Sequence, residues 1–368
     1  MQFEVNREIF LPAIQSVIGA IERKQTLPIL SNFLIQVFKN KATITATDLE
    51  IELKNTIELT NDFGNFELTL PARKTVDICR ALQDDSIINF YINNDKVIIT
   101  SNRSKFTLTT LPASDYPKID DLSNIISLKV EQIKLKKIIT NVAFSMAQQD
   151  VRYYLNGMLI EFKEEIISAV TTDGHRLALS ELKTHIDVTS PRQLIIPRKS
   201  VIEILKLLND SENKVVIEID TNHIRFKSEN NVLTSKLIDG KFPDYKRVIP
   251  ANNDKIAHIN KEIFKQALIR SSIISNDKFK GARFILSENL MTIETQNSEK
   301  ENSKEELILD YNTEEISIGF NISYIMDVIN VINDEFINIE LKSPETSAVI
   351  KSSFEDINNL YVIMPMRI

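Results

Sequence analysis

Apolar positions recur along this chain with two periods. In 131–146 Leu135, Ile138, Ile139, Val142, Ala143 and Met146 fall on one face at three- and four-residue spacing, which predicts an amphipathic helix with Lys134, Lys137 and Asn141 on the other face. In 198–208 Val201, Ile204, Leu205 and Leu208 form a second such stripe, with Lys199, Glu203 and Lys206 turned outward. Elsewhere short runs rich in β-branched and aromatic residues come in threes. They are IINFYI, KVIITS and FTLTTL, then KVVIEI, HIRFKS and VLTSKL, then INIEL, AVIKSS and LYVIM. Asn-Asn-Asp, Thr-Asn and Ser-Pro-Glu-Thr turns separate the first two runs of each set, so each set predicts three short strands.

The pattern repeats. LPARKTVDICRAL at 70–82 aligns with IPRKSVIEILKLL at 196–208 when Arg73-Lys74 is set on Arg198-Lys199, an offset of 125. The same offset aligns Asp48 of ATDLEIEL with Asp173 of TTDGHRLAL, and Leu34 of SNFLIQV with Leu159 of NGMLIEF. It also sets Phe10, Ile14 and Val17 on Leu135, Ile139 and Val142. A third copy is more divergent: FNISYIMDVINVI (320–332) replaces the Arg-Lys helices and KGARFILSE (280–288) replaces NGMLIEF. Polar stretches that begin with Asp-Tyr, at 115–124 and 244–254, carry prolines nearby and separate the copies. The expected organisation is α+β: three tandem domains, 1–124, 125–252 and 253–368, each with two helices packed on β-sheets.

Composition agrees with several cores, since 368 residues at 43% hydrophobic content exceed one ordinary domain. No apolar run approaches the ~20 residues of a membrane span. The start, MQFEVNREIF, lacks the apolar stretch of a signal peptide, so a soluble cytoplasmic protein with no membrane partner is expected. Cys79 is the only cysteine, which excludes an internal disulfide and a cysteine metal cluster.

The net charge of −7 argues against nucleic acid until it is mapped onto elements. The six helix candidates, 7–24, 72–82, 131–145, 198–208, 260–275 and 321–333, hold 15 Lys/Arg against 7 Asp/Glu, leaving −15 for the rest of the chain. Solvated helix faces often carry lysine, but this segregation favours helix faces that line one surface meeting a polyanion. The exposed cations are mostly lysines spread over many helices, with few aromatics among them, which suits sequence-independent attraction to phosphates rather than base reading or stacking.

TDGHR (172–176) is the segment that invites a catalytic reading through Asp173, His175 and Arg176. The chain has 4 His, none at HxxxH or HxH spacing, no recognisable Ser or Cys nucleophile motif and no GxxxxGK[ST]. A tight turn, with Gly174 at positive φ and Asp173 bonding backbone, is the plainer expectation, with no enzymatic activity, metal or cofactor.

The full length resembles the bacterial DNA polymerase III beta subunit family, the sliding clamps. The segments that carry the resemblance are TLPILSN (26–32), ATDLEIEL, LPARKTVDICR, SMAQQDVRYYLNGM (145–158), TDGHRLA (172–178), IDGKFPDYKRVIP (238–250) and YVIMPMRI (361–368). The resemblance implies a homodimer: two subunits joined head to tail in a ring of six pseudo-equivalent domains, with helices lining the hole and sheets outside, that slides on duplex DNA during replication. It implies duplex contact by Lys24, Arg73, Gln149, Tyr153 and Tyr154. The family more often has Arg at Lys24, followed by Pro where this chain has Gln25. The third copy has no basic residue on 321–333, so its share of the lumen is expected to attract DNA least.

The resemblance further implies a hydrophobic groove that receives short peptides of the replicative polymerase alpha subunit, the clamp loader, repair polymerases and mismatch-repair proteins. Carried over by position, it comprises Arg152, Tyr154, Leu155, Thr172, Gly174, His175, Arg176, Leu177, Pro243, Arg247, Val248, Tyr324, Val362, Met364, Pro365, Met366, Arg367 and Ile368. The apolar, methionine-containing terminus supports this, because termini are usually polar and Met adapts to varied side chains. The family's usual Ser near 348 is Ala348 here. Ring closure would pair strands near 104–110 and 299–308, with Lys74, Arg103 and Lys105 facing acidic residues and Phe106 and Leu108 meeting Ile273 and Ile274. Ile273 and Ile274 otherwise read as core residues of a helix end. The competing functions are an enzyme built on the Asp173/His175 turn and a peptide-binding scaffold without DNA.

Overall fold

The computed structural model describes residues 1–368 except 23–26, 120, 121, 124, 187–189 and 276–279. Among the described residues there are six α-helices: α1 (Arg7–Val17), α2 (Ala72–Ala81), α3 (Gln132–Ala143), α4 (Arg198–Leu207), α5 (Lys261–Ile274) and α6 (Ile322–Val331). All nine strand runs expected in sets of three form strands. Two compact units result, Met1–Ile133 with Ile202–Leu237, and Lys134–Val201 with Ile238–Ile368.

The first unit holds a four-stranded sheet, ordered Gln2–Asn6, Ile87–Asn93, Lys96–Ser101, Ser104–Thr109. Its eight-stranded sheet runs Asn65–Pro71, Asn32–Phe38, Lys41–Thr47, Ile51–Glu58, Asn231–Lys236, His223–Ser228, Lys214–Ile219, Ile126–Glu131. The seam is antiparallel, with Ile51 opposite Ser235 and Asn55 opposite Asn231. Helix α1 starts on Asn6, whose side chain accepts the Glu8 N–H at 2.7 Å, and it buries Phe10, Ile14 and Val17. Helix α2 buries Val76 and Cys79 and leaves Arg73, Lys74 and Arg80 exposed. Burial pushes the Cys79 thiol up to about 12.

The second unit repeats the plan. Its eight-stranded sheet runs Arg192–Pro197, Gly157–Lys163, Ile166–Thr172, Arg176–Lys183, Ile357–Ile363, Ala348–Phe354, Phe336–Leu341, Lys255–Asn260. Here the seam pairs Arg176 with Ile363 and Leu177 with Val362. Its four-stranded sheet runs Asn302–Ile308, Leu290–Gln296, Gly281–Ser287, Ile316–Asn321.

The threefold repeat is visible in single hydrogen bonds. The first helix of each copy is anchored by one backbone bond to the approach of a later strand: Arg7 N to Ser86 O, Gln132 N to Asn213 O and Lys261 N to Glu335 O, each 2.9 Å. Asp48 Oδ1 accepts from Glu50 N and Ile51 N at 2.9 and 2.8 Å, and Asp173 Oδ1 accepts from His175 N and Arg176 N at 2.9 and 3.1 Å. In the third copy Asn297 Oδ1 takes this part, accepting from Glu299 N and Glu301 N at 3.0 and 2.9 Å.

Several expectations need correction. The helix expected over 7–24 ends at Val17 and gives way to a 3-10 turn, Ile18–Ala20. Glu203 was expected to face outward but is buried: an ideal Cβ on Gly19 would lie 2.1 Å from its Oε2, and Lys206 pairs with its Oε1 at 2.7 Å. Asn141 is likewise buried, because its amide donates to Asn359 Oδ1 at 2.8 Å. The Asp-Tyr stretches are anchored as well as connecting, since Tyr116 and Tyr245 are both buried. The Tyr116 hydroxyl reaches the Asn32 and Thr45 carbonyls, each at 3.3 Å.

Candidate peptide groove, DNA-contact residues and edges

The seam of the second unit ends in a cavity of about 210 Å³. Its floor is apolar: Leu155, Leu177, Tyr245 and Val362 belong to one buried cluster with Leu159 and Val170, and Tyr154 packs against it. Pro243, Val248 and Met364 complete the apolar lining. The Met364 N–H is held by the His175 carbonyl at 2.9 Å, which places the start of the tail beside the turn.

The turn is built by its own side chains. Thr172 Oγ1 donates to Arg176 O at 2.6 Å and accepts from Gly174 N at 3.1 Å. Gly174 has φ +89°, and an ideal Cβ there would meet the Arg152 guanidinium at 2.9 Å. Asp173 spends both carboxylate oxygens, Oδ1 on backbone and Oδ2 on Arg176 Nε at 3.0 Å. The turn is therefore structural, and among the described residues no cluster of three or more His, Cys, Asp or Glu side chains suits a metal.

Three arginines rim the groove and each is answered by a carboxylate. Arg152 grips Asp150 through Nε at 3.0 Å and Nη2 at 2.8 Å, and that hydrogen bonding holds the Asp150 carboxyl down at about 2. Arg176 donates to Asp327 Oδ2 at 2.5 Å and to Phe144 O at 2.8 Å, and lies 4.5 Å from the Tyr324 ring centroid. Arg247, well exposed, pairs with Asp244 at 2.9 Å. With the rim neutralised pairwise, the cavity suits the apolar side chains of a short segment rather than a charged ligand.

The structure gathers Arg152, Leu155, Thr172, Gly174, Arg176, Leu177, Pro243, Val248, Val362 and Met364 around this one cavity. His175 and Tyr324 stand beside it, their rings stacked at 6.4 Å. Beyond Met364 the terminal tail lies against the four-stranded sheet of the second unit. Met366 N–H bonds Gly319 O at 2.9 Å, and Met366 and Ile368 lie over Gly281 and Gly319, where the missing side chains leave room. Past Met364, which lines the cavity, Pro365 and Met366 are half-buried and Arg367 and Ile368 are exposed. Sequence reading missed Asp150, Asp244, Tyr245 and Ser347. Ser347 answers the question raised by Ala348: Ala348 is buried toward the core, and Ser347, just before the strand Ala348–Phe354, lines the groove.

Of the expected DNA-contact residues, Lys24 lies outside the described residues. Arg73 is exposed on α2, with one Nη donating to Ile21 O at 3.2 Å. Gln149 and Tyr153 are exposed on the loop before the groove, and Val151 between them is 95% exposed. Tyr154 is half-buried, with its ring 5.8 Å from that of Tyr153.

The expected ring-closing strands are both sheet edges: Ser104–Thr109 in the first unit and Asn302–Ile308 in the second. Lys74, Arg103 and Lys105 are exposed and Phe106 is half-buried. Leu108 departs from the expectation, because its own sheet already buries it. Ile273 is 74% exposed on α5 and is no core residue, while Ile274 is half-buried. Part of the acidity of Asn302–Ile308 is used locally, since Glu305 pairs with Arg270 at 2.6 Å.

A tandem α+β repeat whose seam carries an apolar groove, with cations set on its helices, belongs to the class of sliding clamps. Family models of the DNA polymerase III beta subunit match the chain as its N-terminal domain over 1–120, its central domain over 129–244 and its C-terminal domain over 246–367. The chain is 41% identical to the beta sliding clamp of Pseudomonas putida and 40% identical to that of Escherichia coli, in each case over the whole of both chains. A crystal structure of the DNA polymerase sliding clamp from Pseudomonas aeruginosa, 41% identical, superposes with a TM-score of 0.95 over all of both chains. Another, of the Pseudomonas aeruginosa protein bound to griselimycin, gives 0.94. This chain belongs to the DNA polymerase III beta subunit family, the bacterial beta sliding clamps.

Proposed function

We propose that this processivity clamp closes around duplex DNA as a head-to-tail homodimer of three-domain chains, with domains 1–124, 125–252 and 253–368. The observation that carries the reading is the bookkeeping of seam strands. The strand after the Asp48 turn pairs with Asn231–Lys236, and the strand after the Asp173 turn pairs with Ile357–Ile363. The strand after the Asn297 turn, Asn302–Ile308, is an edge, and so is Ser104–Thr109, the last strand of the first copy. Open edges invite a partner strand, and two chains joined edge to edge close without remainder. The exposed Ile273 and Ile308 supply apolar area at that junction.

Attraction of helix lysines and arginines to phosphates, with Lys24, Arg73, Gln149, Tyr153 and Tyr154 nearest the duplex, then needs no base recognition. The groove tethers the polymerase alpha subunit, the clamp loader, repair polymerases and mismatch-repair proteins through short apolar peptides. The protein works in the cytoplasm without chemistry of its own. Replacing both Ile273→Arg and Ile274→Arg tests closure: sedimentation at micromolar concentration is expected to give monomers that keep the circular dichroism of the parent. An intact dimer contradicts the assignment.

A further inference from the structure

The first unit carries a second cleft at the place in the repeat where the groove sits in the second. Thr47 Oγ1 donates to Ile51 O at 2.8 Å and accepts from Leu49 N at 3.0 Å, the bonds Thr172 makes to Arg176 and Gly174. The Lys236 N–H is held by Glu50 O at 2.8 Å as the Met364 N–H is held by His175 O at 2.9 Å. Thr234 stands opposite Glu52 as Val362 stands opposite Leu177. Tyr116 is buried as Tyr245 is, and Pro117–Ile119 follow it as Lys246–Val248 follow Tyr245. A cavity of about 240 Å³ results, lined by Thr47, Leu49, Ile119, Lys118, His223 and Lys236, and walled also by Pro117.

The two clefts share a frame and differ in chemistry. In the groove each rim cation has a carboxylate and the floor is apolar. In the cleft Lys236 takes the place of Met364, and its exposed ammonium has no ion pair or hydrogen bond among the described residues. Lys118 has a long pair, 3.6 Å from Glu67. Glu52 takes the place of Leu177, but it is buried and its Oε1 is neutralised by Lys54 at 2.7 Å, so it does not answer the rim. Leu49 and Ile119 leave apolar surface for one anchor. An apolar anchor flanked by carboxylates is the ligand that meets both features, by burial of the one and charge complementarity of the other.

We propose that this cleft is a second docking site, for a short acidic segment of a partner protein carrying one apolar side chain between carboxylates. The inference rests on the reading of the groove as a peptide site, of which the cleft is the counterpart in the preceding repeat.

The test is methyl NMR of the full dimer, titrated with the pentapeptide Asp-Glu-Leu-Glu-Asp and with its Asn/Gln counterpart. A neutral Leu/Phe pentapeptide, titrated separately, reports on the groove through Val362 and Met364. The acidic peptide is expected to shift the Leu49 and Ile119 methyls saturably and to leave Val362 and Met364 in place. Lys236→Glu and Lys118→Glu, both at exposed positions, are each expected to weaken it about tenfold, as is the amide counterpart. Absence of shifts at Leu49 and Ile119 overturns the proposal. So does binding indifferent to charge, or shifts confined to the groove. Shifts caused by a single-stranded oligonucleotide but not by the peptide overturn it as well, since they make the cleft a phosphate site. Failure of the neutral peptide to move Val362 and Met364 would instead refute the groove reading, so the two failures are distinguishable.

Discussion

Arg176 and Asp327 tie the turn of the groove to helix α6, with guanidinium and carboxylate 2.5 Å apart and the Tyr324 ring centroid 4.5 Å from the same guanidinium. Arg176 is 11% exposed and also serves Asp173 and the Phe144 carbonyl, so it acts as the rivet of the site more than as a contact for ligand. Asp327 is 40% exposed, which discounts its share. Asp327→Asn is expected to weaken binding of a hydrophobic peptide about threefold, on the order of 0.7 kcal/mol, by fluorescence anisotropy. Unchanged affinity would mean that Asp173 and Phe144 alone hold Arg176 in place.

Gly174 and Leu49 occupy the same position of the same turn, at φ +89° and +78°. The first copy therefore shows that the turn tolerates a side chain, at a cost of about 1–2 kcal/mol for a left-handed residue. What is particular to Gly174 is Arg152, whose guanidinium nitrogens lie 2.9 and 3.0 Å from where a Cβ would stand. Gly174→Ala is expected to fold with a melting temperature lowered by a few degrees and to displace Arg152 from Asp150. Thermal unfolding, with the Arg152 Nε resonance followed by NMR, checks both parts. An unmoved Arg152 would contradict the steric argument.

The Asp150 carboxyl should titrate near 2 rather than at its ordinary 3.8, because Arg152 hydrogen-bonds the charged form. The sign follows: a depressed folded value means the interaction is fully present above the unfolded value and is lost as pH falls through the folded one. The Arg152–Asp150 grip is thus expected to survive throughout the physiological range. In Arg152→Ala the midpoint, read from the carboxyl carbon shift, should rise back toward 3.8. A midpoint that stays low without Arg152 would refute this cause.

Much of this was legible beforehand, and the rest failed for identifiable reasons. Helical period placed Leu135, Ile139 and Val142 in the core and β-branched runs placed the closing strands. Period cannot tell that a polar residue has a buried partner far along the chain, so Asn141 with Asn359, and Glu203 against Gly19, were assigned outward. Ser347 was missed because it stands in the connection before the strand Ala348–Phe354, where no periodicity says which way a side chain faces. Gly281 and Gly319, inconspicuous in sequence, make a bed on which Met366 and Ile368 lie, and no periodicity announces it. The turn at Asp173 was readable because Thr, Asp and Gly satisfy it locally.

Topological retention on DNA is the most direct test of the ring. The protein, loaded on nicked circular duplex by a clamp-loading extract, is washed at about 1 M salt, where screening removes surface attraction. Retention on the circle, followed by release within minutes once a restriction enzyme cuts it, is the predicted result. Equal loss from the circular and the cut DNA would contradict the closed ring.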